Sequence, residues 1–217
     1  RIYVALNTIL KEEELAEAEQ MIWQLYEAGA DALIVQDMGI TQLNLPPIPL
    51  HASTQTDNRT LEKVRFLQEA GFTQVVLARE LSLNQIREIA ERTTVPLEVF
   101  VHGALCVSYS GQCYLSAALS GRSANRGECA QACRMPYALI VDGRHVPLGE
   151  KRYLLSPQDL CALDRIPELV RMGVRSYKIE GRLKSPEYVA AATAAYRKAL
   201  DAACAGIPVD RMVTARD

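Results

Sequence analysis

Short runs of branched apolar residues alternate along the chain with longer stretches in which apolar residues recur periodically. The short runs, such as residues 32–35 (ALIV), are typical of strands buried in a parallel sheet. The longer stretches carry apolar residues every three or four positions, and residues 12–28 end before Gly29, a pattern that predicts amphipathic helices. Strands are predicted at residues 2–6, 32–35, 49–53, 74–78, 97–101 and 175–179. Helices are predicted at residues 12–28, 40–44, 58–70, 82–92, 159–172 and 186–203.

The alternation of strand and helix predicts an α/β fold with parallel strands. A doubly wound sheet would normally show a glycine-rich turn after its first strand, whereas this chain has Asn7-Thr8-Ile9-Leu10 there. We therefore predict a TIM-type (β/α) barrel that is incomplete, with six of the eight βα units visible. Because the chain opens at Arg1 directly on a strand, the first two units are the ones expected to be missing. An incomplete barrel exposes strand edges, so a homo-oligomer across the open barrel edge is expected.

A cysteine-rich insertion interrupts the alternation after the fifth strand. The insertion divides the chain into three segments. These are barrel βα units over residues 1–103, the insertion over residues 104–155, and the final barrel unit with the C-terminal helix over residues 156–217. Residues 138–146 predict a β-hairpin that turns at Asp142-Gly143, and residues 153–155 predict a short extended piece. Ser156 and Pro157 are a typical helix start, with Ser as the N-cap and Pro in the first turn.

Polar residues follow the predicted strands, at the strand ends that form the catalytic face of a (β/α) barrel. The candidate substrate-binding residues are Asn7, Gln55, Arg79 and Arg182, and the candidate catalytic residues are His102, Lys178 and Glu180. Lys178 and Glu180 alternate along one strand and therefore share a face of the sheet. Two alternatives stay open, namely an internal Lys–Glu ion pair that closes the barrel and a histidine whose role is structural.

Four of the six cysteines lie in the insertion, at Cys106, Cys113, Cys129 and Cys133, with the spacing C-x6-C-x15-C-x3-C. The residues between them are largely glycine and polar, which does not fit a buried apolar stripe. If residues 127–134 are helical, Cys129 and Cys133 project from one face, and two more thiolates can converge on them. This pattern favours an iron–sulfur (4Fe-4S) cluster. Zinc is the alternative, although structural zinc sites usually pair cysteines more closely than C-x6-C.

Net charge and the length of the apolar runs limit the partners and the location that the sequence favours. The chain has 217 residues, 49% of them apolar, and a formal net charge of −2, so its bulk charge does not favour nucleic acid. No run approaches the roughly 18 apolar residues of a membrane span, and we expect a cytoplasmic protein. A local basic patch could still bind phosphate, and its members near the cysteines would stabilise an anionic cluster. The patch consists of Arg122, Arg126, Arg134, Arg144 and Lys151.

Several segments together resemble the collagenase-like family known as peptidase U-32. The strongest is the family signature E-x-F-x-x-G-[SA]-x-C…G-x-C-x-x-S, which this chain meets between Glu98 and Ser116. The other segments are residues 4–8, 29–37, 51–55 and 177–182. The resemblance covers essentially the whole chain, and it implies a barrel with two further βα units before Val4.

The resemblance implies two different activities. Some members are labelled peptidases, whereas others are oxygen-independent hydroxylases that hold a 4Fe-4S cluster and act on tRNA, rRNA or a quinone precursor, with prephenate implicated as the oxygen donor. Cys106, Cys113 and Cys129 match cluster ligands of the quinone-pathway members. Cys133 matches a ligand in the partner protein of one such member, and Cys161 is the reserve candidate. We therefore expect an iron–sulfur hydroxylase that acts on RNA or a quinone precursor.

The alternatives are a collagenase-like peptidase with a peptide substrate and a non-catalytic binding subunit. The sequence contains neither H-E-x-x-H nor G-x-S-x-G. Cys106 and His102 could form a nucleophile–base pair, but residues four apart that leave a strand rarely have that geometry. That interpretation would also leave the other three cysteines of the insertion without a role.

Overall fold

The computed structural model describes residues 1–207 and contains nine strands and six α-helices within that range. The strands are β1 (Tyr3–Leu6), β2 (Ala32–Val35), β3 (Leu50–Ala52), β4 (Gln74–Val76), β5 (Leu97–Gly103), β6 (Leu139–Val141), β7 (Arg144–Val146), β8 (Leu160–Cys161) and β9 (Ser176–Glu180). The helices are α1 (Leu15–Glu27), α2 (Leu61–Glu69), α3 (Leu83–Arg92), α4 (Leu115–Ser120), α5 (Ile166–Arg171) and α6 (Pro186–Cys204).

Strands β1 to β5 pair with one another in sequence order, and every one of these pairs is parallel. β9 joins β5, also in parallel, so six parallel strands form one sheet, as the sequence predicts. Strand order that follows chain order, with helices in the connections, is the topology of a (β/α) barrel wall. The α/β class with a parallel sheet is therefore confirmed.

An apolar layer between the sheet and the helices holds the fold together. Ile22 of α1 and Val64 of α2 are fully buried there against strand residues such as Leu33 and Val75. Removing this apolar surface from water is the main favourable term in folding. The strand residues that alternate with the core residues face the other side of the sheet, where polar side chains lie. Glu98 is one of these, because its neighbours along β5 belong to the apolar layer.

The helix predicted at residues 159–172 is wrong in its first half. Leu160 and Cys161 instead form β8, which pairs antiparallel with the end of β5 and adds a seventh strand to the sheet. The Arg134 guanidinium donates to Ser156 Oγ at 2.5 Å and to the Pro157 carbonyl at 3.0 Å. These tertiary bonds hold the segment in an extended form and override the Ser-Pro helix signal, so the α-helix begins only at Ile166.

The helix considered for residues 127–134 is also wrong. Gln131 adopts the left-handed backbone conformation, with φ +53°, so no helix can connect Cys129 to Cys133. A short 3-10 helix, Ala132–Arg134, is all that forms in this segment. The two cysteines are therefore brought together by a turn rather than by helical spacing.

Smaller corrections concern two other segments. Residues 153–155 form a turn rather than an extended piece. The short helix expected at residues 40–44 is a 3-10 helix, Met38–Gln42, which begins earlier because the Asp37 side chain caps it. The hairpin is confirmed as β6 and β7, with Asp142 and Gly143 both at positive φ in its turn.

No helix among residues 1–207 is long and apolar enough to cross a membrane. Residues 208–217 of the predicted last segment lie outside the described residues.

Candidate metal centre

The cysteine region, residues 104–134, leaves the sheet at the carboxyl end of β5. The register of β5 against β9 shifts between Phe100 and His102, which marks a β-bulge. Gly103 follows at φ +98°, and a Cβ there would collide with the Glu180 carbonyl oxygen at the end of β9. The region therefore begins where two parallel strands end side by side, at the face that carries catalysis in barrels.

Ser110 anchors the region over the ends of β3 and β4. Its N–H donates to Glu80 Oε1 at 2.9 Å and its hydroxyl donates to Glu80 Oε2 at 3.1 Å, while Thr54 Oγ1 donates to Ser110 Oγ at 3.1 Å. Ser110 is 1% exposed, so these bonds are made in a buried place. Gly111 packs so closely on the Gln55 carbonyl that no side chain fits there.

Two arginines fasten the other sides of the cysteine region. Arg126 donates to the Ile9 carbonyl at 2.7 Å and forms an ion pair with Glu14 at 2.6 Å, both of them after β1. The Arg126 side chain, together with the Lys11 backbone N–H, lowers the pKa of Glu14 to about 2. Arg134 donates to the Leu105 carbonyl and to Ser156, and so joins the two ends of the region. Both arginines are thus committed to structural contacts, which reduces the predicted phosphate-binding patch.

The Cys133 thiol is influenced by the other three cysteines of the region. Burial raises the pKa of the Cys133 thiol, the Arg134 charge opposes this, and the nearby thiols of Cys106, Cys129 and Cys113 raise it further. Each of these three thiols affects Cys133, but no three of the four are close enough to one another in this structure of residues 1–207 to share one metal ion. Cys161 lies outside this region, on β8, and its sulfur is 3.9 Å from the Tyr196 hydroxyl.

Hydrogen bonds of the backbone hold the loops that carry the thiols. The Cys113 N–H donates to Asn125 Oδ1 at 3.2 Å, and the Ala130 N–H donates to the buried Ser116 hydroxyl at 3.0 Å. The Gln131 N–H donates to Cys129 Sγ at 3.4 Å. Hydrogen bonds to sulfur are a usual way in which proteins tune thiolate-bound iron. Among residues 1–207 no three His, Cys, Asp or Glu side chains are grouped closely enough to share one metal ion.

His102 lies against α6. Its Nε2 is 2.9 Å from the Tyr188 hydroxyl, and its Nδ1 is 3.4 Å from the Tyr196 hydroxyl. Tyr196 also donates to the Val101 carbonyl at the bulge, 2.7 Å away, and burial raises its pKa above the ordinary range. Both ring nitrogens of His102 therefore have partners, as the structural alternative expects. The predicted catalytic role of His102 stays a prediction.

Two of the four predicted substrate-binding residues meet directly. Asn7 Nδ2 donates to Gln55 Oε1, which brings the ends of β1 and β3 together. Arg79 lies elsewhere on this face, with its guanidinium 5.1 Å from the centre of the Phe100 ring. Arg182 is exposed in the turn after β9. The four residues thus follow the carboxyl ends of β1, β3, β4 and β9 but do not form one cluster.

Lys178 forms an ion pair with Glu98 at 3.3 Å, not with Glu180. Glu98 Oε2 also accepts from Gln74 Nε2 and from the Ser176 hydroxyl, each at 2.7 Å. The internal pair between Lys178 and Glu180 considered from the sequence is therefore wrong, and the partner of Lys178 is an acid on β5. In the sequence, Glu98 stands out only as the first residue of the family signature. Its position inside an otherwise apolar strand, LEVFV, is the signal that could have identified a buried charge.

Gly111 offers a test of how the cysteine region is held. Gly111→Ala is expected to displace the region, because the new Cβ would overlap the Gln55 carbonyl. Gly121→Ala is the matched control, since Gly121 has a similar φ of +71° but open space around it. We expect the control to lose about 1 kcal/mol of stability and Gly111→Ala at least about 3 kcal/mol. Equal thermal melting of the two variants would contradict this anchoring role.

Comparisons with known proteins identify a family and several similar proteins. The family model for peptidase family U32 matches residues 1–215. The chain is 57% identical over 202 residues to the 23S rRNA 5-hydroxycytidine C2501 synthase of Escherichia coli, covering 93% of this chain and 31% of the relative. It is 41% identical to an uncharacterized protease, MJ0090, of Methanocaldococcus jannaschii, covering 98% of this chain and 54% of the relative. It is 39% identical to tRNA hydroxylation protein P1 of Bacillus subtilis, covering 94% of this chain and 50% of the relative.

These matches extend over nearly the whole chain and include the signature that leads into the cysteine region. The chain spans only about a third to a half of the length of these relatives. The family predicted from the sequence is thereby confirmed. The chain belongs to peptidase family U32.

Proposed function

We propose that this chain forms the core of an iron–sulfur-dependent hydroxylase that modifies a pyrimidine in RNA. The observation that carries the proposal is that Cys106, Cys113, Cys129 and Cys133 belong to one region, which leaves the sheet at the carboxyl end of β5 and is anchored there through Ser110 and Glu80. The names of two relatives support it, since one makes 5-hydroxycytidine in 23S rRNA and the other acts in tRNA hydroxylation.

The donor set fits a 4Fe-4S cluster. Four thiols in one short region offer one thiolate to each of four irons, and an N–H already donates to the sulfur of Cys129. Zinc would need its thiolates on one ion, and the C-x6-C spacing of Cys106 and Cys113 is a poor match to the close cysteine pairs of structural zinc sites. When bound, the cluster would supply one-electron chemistry at this face. The protein's own part is to hold the cluster against the sheet through Ser110, Arg126 and Arg134.

The face beneath the cysteine region offers groups for a base and a phosphate. The joined amides of Asn7 and Gln55 present donors and acceptors of the kind that read the edge of an unstacked base. Arg79 and Arg182 supply positive charge on the same face. Lys178, oriented by Glu98, and Glu180 are the residues we propose for proton transfer, with His102 held through Tyr188. The oxygen donor, expected to be prephenate, stays a prediction, as do the cytoplasmic location and the homo-oligomer.

We also propose that the sheet is part of an incomplete TIM-type barrel, which further βα units would complete. Six parallel strands are present among residues 1–207, and β1 and β9 lie at the two ends of the parallel series. A closed barrel has eight strands, so two more would join these ends. The cysteine region would then be an excursion after the fifth of the six strands described here.

Nucleoside mass spectrometry of rRNA and tRNA tests the proposed function. In cells that lack the gene, we expect one hydroxylated pyrimidine to disappear and to return when the wild-type gene is supplied. A Cys113→Ser gene should fail to restore it, whereas Cys204→Ser, an exposed cysteine at the end of α6, should restore it fully. Quinones from the same cells are measured in parallel, because a quinone precursor is the second possible substrate.

The peptidase alternative predicts a different result. An unchanged nucleoside and quinone profile, together with lost cleavage of gelatin or collagen, would overturn the proposal in favour of a hydrolase. An unchanged profile with no lost cleavage would point to a non-catalytic binding subunit.

A further inference from the structure

The turn that follows β9 has an unusual residue at its centre. The Lys184 N–H donates to the Gly181 carbonyl at 3.0 Å, so Arg182 and Leu183 are the two central residues of a β-turn. Leu183 has φ +65°. A turn with positive φ only at its second central residue normally takes glycine or asparagine there, because a side chain in this conformation is strained.

Leu183 gains nothing from packing in return for this strain. It is 88% exposed, more than any other large apolar residue of the described chain. An exposed leucine in a left-handed conformation costs the fold free energy twice, through backbone strain and through apolar surface left in water. Strain of this kind that persists without a packing benefit is a reason to look for a function.

The turn is held firmly at its base, so Leu183 projects from a fixed point. Gly181 packs closely on α6, since a Cβ there would lie 3.0 Å from a methyl group of Val189. Lys184 pairs with Asp159 at 3.4 Å and its ammonium lies 5.0 Å from the centre of the Tyr188 ring. The Arg182 N–H donates to Glu180 Oε1 at 3.3 Å. The Glu180 carbonyl contacts Gly103, where the cysteine region begins, so the turn lies beside the candidate metal centre.

We propose that Leu183 is an RNA wedge, which enters the base stack when the target pyrimidine is turned out toward the cysteine region. This inference rests on the proposed function, because it assumes that the substrate is a base in RNA. Enzymes that act on a base commonly take it out of its stack, and apolar side chains such as leucine are the ones that enter base steps.

Charge around the wedge favours RNA as the occupant. Arg182 immediately precedes Leu183 and, among residues 1–207, its guanidinium has no ion-pair partner. An exposed guanidinium beside an exposed apolar tip suits a phosphate that flanks a base step. An apolar protein surface would have no matching group for this charge.

The test uses the full-length protein with its cofactor and two RNA probes. One probe is an RNA hairpin with a cytidine beside a fluorescent purine analogue whose emission rises when it is unstacked, and the other is an unstructured strand of the same composition. With wild-type protein we expect the hairpin signal to rise on binding. With Leu183→Gly we expect most of this rise to be lost and hydroxylation of the hairpin to fall roughly tenfold, while the unstructured strand changes less than about twofold.

Two control variants separate the wedge from general effects. Asp142→Gly relieves positive φ at a turn in the β6–β7 hairpin, and Phe66→Ala removes an exposed apolar side chain from α2. Both should leave the hairpin signal unchanged. Leu183→Gly should melt at the same temperature as wild type or higher, because glycine suits the turn.

The outcomes distinguish the wedge from the proposed function. Equal fluorescence in wild type and Leu183→Gly, or no rise in wild type, would overturn the wedge. A lower melting temperature of Leu183→Gly would also overturn it, since Leu183 would then be packed against another part of the full-length protein. If neither RNA is hydroxylated by wild type but the hairpin signal rises and depends on Leu183, the proposed function fails and the wedge stands.

Discussion

Replacing any one of Cys106, Cys113, Cys129 or Cys133 with serine is expected to remove iron from the protein and to lower its activity on RNA on the order of 100-fold or more. Residues that merely support metal ligands already cost about 10- to 100-fold when changed, so loss of a ligand should cost at least as much. The four thiols lie in one anchored region of the chain, and each would serve one iron. The measurement is iron and sulfide content after anaerobic purification of the full-length protein, together with the hydroxylation rate.

Cys161→Ser and Cys204→Ser are the matched controls, because both cysteines are exposed and neither affects the Cys133 thiol. Both should keep full iron content. Loss of iron in Cys161→Ser alone would make Cys161 a ligand in place of one of the four. Stoichiometric zinc without iron in an anaerobic preparation would favour the zinc alternative. Activity that depends on one cysteine and needs no metal would favour a His-assisted peptidase.

The parallel sheet could be predicted because each of its strands carries its own signal. Residues 32–35 and 74–78 are short apolar runs that follow helices ended by Gly29 and Gly71, and both glycines have positive φ as such helix ends require. These signals are local, so a single sequence suffices to find them. The strand order then follows from the short connections between neighbouring elements.

The segment around residues 156–162 could not be predicted, because its conformation depends on residues far away in the chain. Arg134 holds Ser156 and Pro157, and the Ala162 N–H donates to the Val101 carbonyl and to the Tyr196 hydroxyl. These tertiary hydrogen bonds outweigh the local preference of Ser156 and Pro157 to begin a helix. The same reason explains why a turn rather than a helix brings Cys129 toward Cys133.

In the candidate site, too, features that depend on residue type could be predicted, and contacts between residues distant in the chain could not. The cysteine spacing and the signature identified the metal centre, since thiol chemistry is visible in residue type alone. The partners of the charged residues were not visible in this way. Lys178 pairs with Glu98 because β5 and β9 are neighbours in the sheet, which a sequence pattern does not state. The tyrosines that hold His102 come from α6, more than eighty residues away in the chain.

Glu98→Ala is expected to lower the free energy of unfolding by about 2–4 kcal/mol, because it leaves the Lys178 ammonium on the sheet without its counter-charge. The Glu98 side chain is 7% exposed and that of Lys178 is 31% exposed, so solvent screens the pair only in part. The variant also removes the acceptor of Gln74 and Ser176. Urea denaturation of the full-length protein, followed by circular dichroism, measures the change.

Glu168→Ala is the matched control, since it removes a carboxylate that pairs with Arg87 at 2.5 Å on the surface, and we expect it to cost less than about 1 kcal/mol. The double variant Glu98→Leu with Lys178→Met should recover most of the stability lost in Glu98→Ala, because replacing both members of a buried ion pair by apolar residues is often neutral. If Glu98→Ala costs no more than Glu168→Ala, the pair is solvated rather than buried. If instead the double variant regains stability but not hydroxylation, Lys178 is needed for the chemistry and not only for the fold.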